Sequence, residues 1–290
     1  MCNFLSAIYT ATGKLICEPV YTDSHSELLD FARITERYTT APIQQFVRLE
    51  LTPPTATSDW LVIENWSEKV DEHEVPAWFD KAARFTAFEQ MREIVTSAIT
   101  DGDDRLTFGR LMILCSGSAR CKHGRIFALN SSTVTAWGSS TVNAWDSSKV
   151  TALDSSTVTA RDSSTVTARD SSTVTAWDSS TVTALGSSKV TARDSSTVTA
   201  WDRSTVTAWD SSTVTARGSS TVTARDSSTV TARGSSTVTA LDSSTVTALD
   251  SSTVTAWGSS TVTARDSSKV TARGSSKVTD TRKKAGAQNA

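Results

Sequence analysis

Proline is scarce: the chain has five in 290 residues, and none falls between Ser131 and Ala290. Cysteine is scarcer, with four residues, too few for the disulfide framework of a small secreted domain. No run approaches the ~18 consecutive apolar residues that a membrane-spanning helix needs. The opening Met1-Cys2-Asn3-Phe4-Leu5 lacks a basic segment followed by an apolar one and a cleavage site, so no secretory leader is read and a cytoplasmic chain is expected. Charge of one sign is missing as well, since the formal net charge is −2. Residues 1–130 carry 18 acids against 13 Lys and Arg, and residues 131–279 carry 12 Asp against 13 Lys and Arg. A duplex-binding protein shows a basic stripe and a DNA mimic a dense acidic array. With neither present, nucleic acid is not an expected partner.

What dominates instead is a repeat. Valine recurs every eighth residue from Val134 to Val278, 19 times without a slip of register. The unit reads Ser-Ser-Thr-Val-Thr-Ala-X-Asp/Gly, with Trp, Arg or Leu at X. A degenerate unit precedes it, with Ile126, Ala128, Leu129 and Asn130 at the Val, Ala, X and corner positions. β-Branched residues at the centre and turn formers at the ends read as strand plus corner. The eight-residue period and the recurring Ser-Ser with Gly or Asp exclude helix. A disordered Ser/Thr-rich stalk has no reason to keep valine in phase.

Substitutions show which way each position points. The first Thr is replaced by Lys at positions 149, 189, 269 and 277, and an unpaired Lys cannot sit in a narrow dry core. Strand side chains alternate, so both Thr face outward, as does X, while Val, Ala and the second Ser face inward. The Asp/Gly-Ser pair makes the corner, because Asp and Gly accept turn geometry. Eight residues cannot close a coil. Two units per coil give two facing sheets and three give a triangular section; two suit the small inward residues better and give about nine and a half coils, ~45 Å at ~4.7–4.8 Å each. The expected architecture is mainly β: a parallel β-solenoid over 131–279, preceded by a small α+β domain (1–114) and a junction with the first capping coil (115–130), and followed by a basic tail (280–290).

Such a stack presents hydroxyls and methyls in a two-dimensional lattice on each broad face. Thr157 with Thr159, Thr165 with Thr167, Thr173 with Thr175, and Thr181 with Thr183 are the candidate surface pairs, both members of each pointing outward. Along the edges, Trp137, Trp145, Trp177, Trp201, Trp209 and Trp257 stand among arginines, in position for aromatic and cation–π contacts.

The Ser-Thr-Val-Thr-Ala strand with Asp-Ser-Ser resembles the repeat of bacterial ice nucleation proteins over residues 131–279. That resemblance implies that the outward Thr pairs order water or bind ice. The Gly-Tyr ladder of that family is absent, the unit is eight rather than sixteen residues, and the array is shorter. The whole chain also resembles octapeptide-repeat proteins of actinobacteria and their phages, which join a similar N-terminal domain to such repeats. That likeness implies no activity.

In the N-terminal domain, residues 4–9 and 14–17 flank Thr12-Gly13, a hairpin signal. Ser24-His25-Ser26-Glu27 is a capping box before a short helix. Residues 45–51 and 59–64 read as strands. Pro76 opens a long amphipathic helix with Trp78, Phe79, Ala82, Phe85, Phe88, Met91 and Val95 on its apolar side, and 106–114 returns to strand. This domain is placed to cap one end of the solenoid.

Candidate chemistry is thin. Cys115, Cys121 and His123, with Cys2 or Cys17, could supply zinc ligands, but the spacing fits no standard knuckle and buried structural thiols explain it more simply. His25 and His73 read as exposed polar residues. Asp71, Glu72 and Glu74 read as solvated charge ahead of Pro76. No phosphate loop, nucleophile elbow or dinucleotide fingerprint occurs. No His follows His123 to activate a repeat hydroxyl. The expectation is a protein that is not an enzyme and carries no cofactor or metal. Its lattice would meet a repetitive partner or a second copy, with ice or ordered water as an alternative. In a third reading the N-terminal domain is an effector or inhibitor and the repeat a spacer.

Overall fold

The computed structural model describes residues 4–20, 22–34 and 44–281; Cys2 and the tail from Arg282 lie outside the described residues. The N-terminal domain is a four-stranded antiparallel sheet with two α-helices. Strands β1 (Leu5–Thr10), β2 (Leu15–Ile16), β3 (Phe46–Thr52) and β4 (Ser67–Val70) are ordered β2-β1-β3-β4. The hairpin turns at Gly13, whose φ of +80° suits a residue without a side chain. Helix α1 (His25–Phe31) starts at Ser24, whose hydroxyl accepts from the Glu27 amide, as the capping box predicts.

Two expectations change here. Residues 59–64 are not a strand but lie in 3-10 turns at Thr57–Leu61 and Ile63–Asn65. Ser58 and Asp59 favour turns after Pro53-Pro54, and only Trp60 of this stretch is buried. Helix α2 runs Lys81–Ala98, not from Pro76, because the Asp80 carboxylate caps it by accepting from the amides of Ala82 and Ala83. Phe88, Met91 and Val95 line its buried face, whereas Phe85 is 66% exposed.

The solenoid begins earlier than the repeat suggests. Residues 99–122 form two long strands, β5 (Ile99–Phe108) and β6 (Leu111–Lys122), joined through a turn at Gly109 and paired in parallel with a bulge. The region read as a junction with the first capping coil is coil, the coil extends back to Ile99, and the run 106–114 belongs to two strands. β7 (Arg125–Ala128) and β8 (Thr133–Trp137) follow, then a four-residue strand every eight residues up to Lys277–Asp280. Each repeat strand pairs in parallel with the one sixteen residues on, Val150 with Val166 and Val166 with Val182. Two units thus make one coil, and the chain winds about 11 turns.

The inward set is the expected one. Val134 through Val262 are at most 4% exposed and the alanines beside them 0%. The second Ser of each pair from Ser132 to Ser268 is buried too; Ser148 Oγ, for example, donates to the carbonyl of Trp145 at 2.7 Å. That bond satisfies a hydroxyl that would otherwise cost free energy in a dry core. Corners hold Asp or Gly in the left-handed region, as at Asp194 (φ 56°) and Gly218 (φ 63°). Several corner carboxylates brace the coil before: Asp250 Oδ2 accepts from the Gly234 amide at 3.0 Å.

The N-terminal domain packs along the side of the first coils. Its core of Phe4, Leu49, Trp60, Phe88 and Met91 is continuous with Ile113, Cys115, Phe127 and Leu129 of the solenoid, with Trp145 packed against it. Phe4 stacks on Phe127 with centroids 4.2 Å apart. Thr57 donates to the corner carboxylate of Asp146 at 3.1 Å.

Candidate functional site: the free threonine face

The sixteen-residue coil sorts the repeat strands alternately onto two opposite faces. One carries Ile113, Phe127, Asn143 and Thr159 in a single column. Ile113 and Phe127 lie in the core of the N-terminal domain, so this is the domain-bearing face. The other carries Arg120, Thr135, Thr151 and Thr167 in its corresponding column and is the free face.

The candidate threonines are thereby divided. Thr165 and Thr167 lie beside Thr181 and Thr183 on the free face. Thr157 and Thr159 lie beside Thr173 and Thr175 on the domain-bearing face. The eight do not form one lattice, because the two sets are on opposite sides of the valine core.

Exposure divides them again. Thr157, Thr165, Thr173 and Thr181 are exposed, but Thr159, Thr167, Thr175 and Thr183 are only half-exposed. The cause is the outward neighbour two positions along the strand. For Thr175 that neighbour is Trp177, for Thr183 it is Leu185, and for Thr159 and Thr167 it is Arg161 and Arg169. The first Thr of each pair is flanked by a small corner Ser instead. The open column of the lattice is therefore the first Thr, and Thr175 and Thr183 sit in the lee of Trp177 and Leu185.

The four lysines fall unevenly. Lys189 and Lys269 occupy the domain-bearing face, in register with Thr173 and Thr253. On the free face, Lys149 precedes Thr165 and Lys277 follows Thr261. Between them run seven strands, starting at Thr165, Thr181, Thr197, Thr213, Thr229, Thr245 and Thr261, and each reads Thr-Val-Thr-Ala. The Thr positions of the lattice are thus uncharged for seven rows, about 29 Å along the axis at ~4.8 Å per row, with Arg169, Arg217, Arg233 and Arg265 bordering the second column. Its two columns are ~6.6–6.8 Å apart along the strand. Beyond Lys149, Arg120 pairs with Asp104 at 2.8 Å, so charge marks this end too.

The edge tryptophans also separate. Trp145, Trp177, Trp209 and Trp257 share one edge with Arg161, Arg193, Arg225 and Arg273, alternating coil by coil except at Leu241. Arg193 lies 4.8 Å from the Trp177 centroid and 5.6 Å from that of Trp209, and Arg225 4.6 Å from Trp209. Trp145 meets Arg161 and also Trp60 of the N-terminal domain. Trp137 and Trp201 stand on the opposite edge, where Trp201 meets Arg217 at 4.6 Å. Arginine therefore covers ring faces that a planar ligand would use. Both edges set corner aspartates beside arginines, as with Arg161 and Asp162 on one and Arg169 and Asp170 on the other, so neither edge is uniformly basic or acidic.

Cys115 and Cys121 point to opposite sides of β6, one into the N-terminal core and one into the solenoid core. Burial pushes the Cys115 thiol up to about 11 and that of Cys17 to about 12, so these are structural thiols. His123 occupies a solenoid corner at φ 55°, with Nδ1 3.0 Å from Ser139 Oγ. Nothing in the local sequence signals this contact, because Ser139 lies one full coil further on. His73 is exposed, as expected, but His25 is only 6% exposed. Glu72 is not solvated either: its side chain is 6% exposed, and it accepts from the Arg48 amide at 2.8 Å and pairs with the Arg48 guanidinium. Both corrections follow from sheet pairing that gathers β3, β4 and the start of α1 around one cluster. Among the described residues no helix is long and apolar enough to cross a membrane.

No protein-family model, no curated protein and no solved structure matches this chain.

Proposed function

We propose that this chain is a non-enzymatic presenter of a periodic surface and that the free threonine face is its working part. The uninterrupted seven-row lattice between Lys149 and Lys277 supports this reading. A surface that repeats in two dimensions gains most from a partner with its own repeat, since each row adds the same contact without further loss of rotational freedom.

A second copy of the same face in full register is disfavoured as the partner. A two-fold axis along the solenoid would set Lys149 against Lys149, and an axis across the central row would set Lys149 against Lys277 at both ends. Two-fold pairing in either full register places like charges opposite each other.

Ordered water, and through it ice, is the second reading. It is favoured by rows whose strand positions offer only hydroxyls and methyls, the charged side chains of Arg169, Arg217, Arg233 and Arg265 standing at one border. The test is partition into slowly grown ice together with thermal hysteresis. The comparison is between native chain, Thr213→Lys/Thr229→Lys on the free face and Thr221→Lys/Thr237→Lys on the domain-bearing face. The fold tolerates Lys at this position four times, so all three are expected to fold. Ice binding lost only in the free-face variant supports the reading, and exclusion of the native chain from ice rejects it. The broader proposal predicts that any repetitive partner is lost in that same variant, and it fails if the domain-bearing variant is the one affected.

A further inference from the structure

We propose that His25, Glu50 and Asp71 of the N-terminal domain form a site for one divalent transition-metal ion, with Zn2+ as the best chemical match. One nitrogen of His25, one carboxylate oxygen of Glu50 and one of Asp71 all lie within 4.8 Å of one another. They come from three elements: the first residue of α1, the residue after Leu49 on β3, and the residue that follows β4.

The orientation of His25 carries the inference. Its Nε2 lies 3.0 Å from the Leu49 carbonyl. A carbonyl only accepts, so Nε2 bears a proton, and in the neutral form of the ring it is Nδ1 that carries the lone pair a metal ion takes. That nitrogen faces Asp71 Oδ2 at 3.7 Å, close to the separation of two ligands sharing one ion with ~2.0–2.2 Å bonds. A histidine fixed through its other nitrogen by a backbone carbonyl is the usual outer-shell arrangement of a metal ligand. One imidazole and two carboxylates leave the fourth tetrahedral position to water, and the Asp71 side chain, 42% exposed, keeps that side open.

A cation already occupies the mouth. Lys69 Nζ lies 2.8 Å from Asp71 Oδ1 and 3.1 Å from Glu50 Oε2. Its side chain is 57% exposed, so it can swing to solvent when a divalent ion takes its place. Arg48, nearby on β3, is paired with Glu72. The Lys69 ammonium is thus a built-in competitor that sets the affinity.

The test is titration of the full chain with Zn2+, by calorimetry and by competition with a colorimetric chelator. The native protein is expected to take up one equivalent at this site. Lys69→Met, a surface change that leaves the fold intact, is expected to bind about tenfold more tightly because the competing charge is gone. Glu50→Gln and Asp71→Asn are each expected to weaken binding by about tenfold or more, with unchanged circular dichroism. The Thr213→Lys/Thr229→Lys variant is expected to bind Zn2+ as the native chain does. The proposal is overturned if neither native protein nor Lys69→Met takes up a stoichiometric ion, or if uptake persists unchanged in both Glu50→Gln and Asp71→Asn.

Discussion

Gly117 meets Gly102 so closely across the first coil that a Cβ on Gly117 would lie 2.2 Å from the carbonyl oxygen of Gly102. Both residues have φ in the left-handed range, 89° and 100°. Gly117→Ala is therefore expected to destabilise by about 3 kcal/mol, since neither the backbone conformation nor the contact can be kept. Gly109→Ala, which has the same sign of φ but open space around it, is expected to cost about 1 kcal/mol. Chemical denaturation of the two variants side by side checks the difference.

The valine column sets a second expectation. Val206 is 1% exposed and sits in mid-array, whereas Val278 in the last coil is 41% exposed. Val206→Ala removes two buried methyl groups between coils that cannot collapse inward, a loss of about 2 kcal/mol. Val278→Ala is expected to change the unfolding midpoint by less than about 0.5 kcal/mol. Equal effects at the two positions would contradict a dry column that ends at the open coil.

The arginines on the tryptophan edge are not equivalent. Arg193 faces two rings, Trp177 and Trp209, while Arg273 faces Trp257 alone. At ~0.5–1 kcal/mol per exposed cation–π contact, Arg193→Ala is expected to cost about twice as much as Arg273→Ala. Indole fluorescence of the folded state should change more for Arg193→Ala as well. A Lys replacement at 193 keeps the charge but not the flat guanidinium face, and is expected to recover only part of the loss.

The Asp71 carboxyl titrates below the usual carboxylate range, chiefly because Lys69 donates a hydrogen bond to it. A carboxyl whose folded pKa is depressed contributes stability above its unfolded pKa, and that contribution fades as pH falls through the folded value. The gap in stability between native chain and Asp71→Asn should therefore be widest at neutral pH and close under acid conditions. The exposure of Asp71 and Lys69 keeps this gap small. A gap that widened on acidification would contradict the assigned Lys69 contact.

The solenoid half was legible in the sequence because a single physical rule repeats there. Lys at the first Thr position fixes that position as outward, and alternation then assigns Val, Thr, Ala and the inner Ser. Alternation gives direction but not exposure, which is why the shading of Thr175 by Trp177 and of Thr183 by Leu185 was not foreseen. Strands β5 and β6 were not legible: Ile113 and Cys115 stand where the repeat has outward polar residues and are covered by the N-terminal domain, so residues 112–115 are buried on both sides and do not alternate. β5 is mostly exposed and lacks the Val-Thr-Ala unit. His25 and Glu72 were misjudged for a related reason. Their partners Leu49, Asp71 and Arg48 come from strands more than twenty residues away, and local polarity says nothing of such pairing. The division of the candidate threonines between faces also depends on sixteen residues per coil, which the pairing of strands supplies and the octapeptide alone does not.

That the coil holds two units has a genetic consequence. Nearly identical repeats invite unequal recombination, and gain or loss of one octapeptide would transpose every downstream strand to the opposite side of the rod. Thr197 would leave the row of Thr181, and Lys269 would move onto the side now kept clear of it. Gain or loss of a pair would only lengthen or shorten the rod. Natural length variants with an intact working side are therefore expected to differ by even numbers of units.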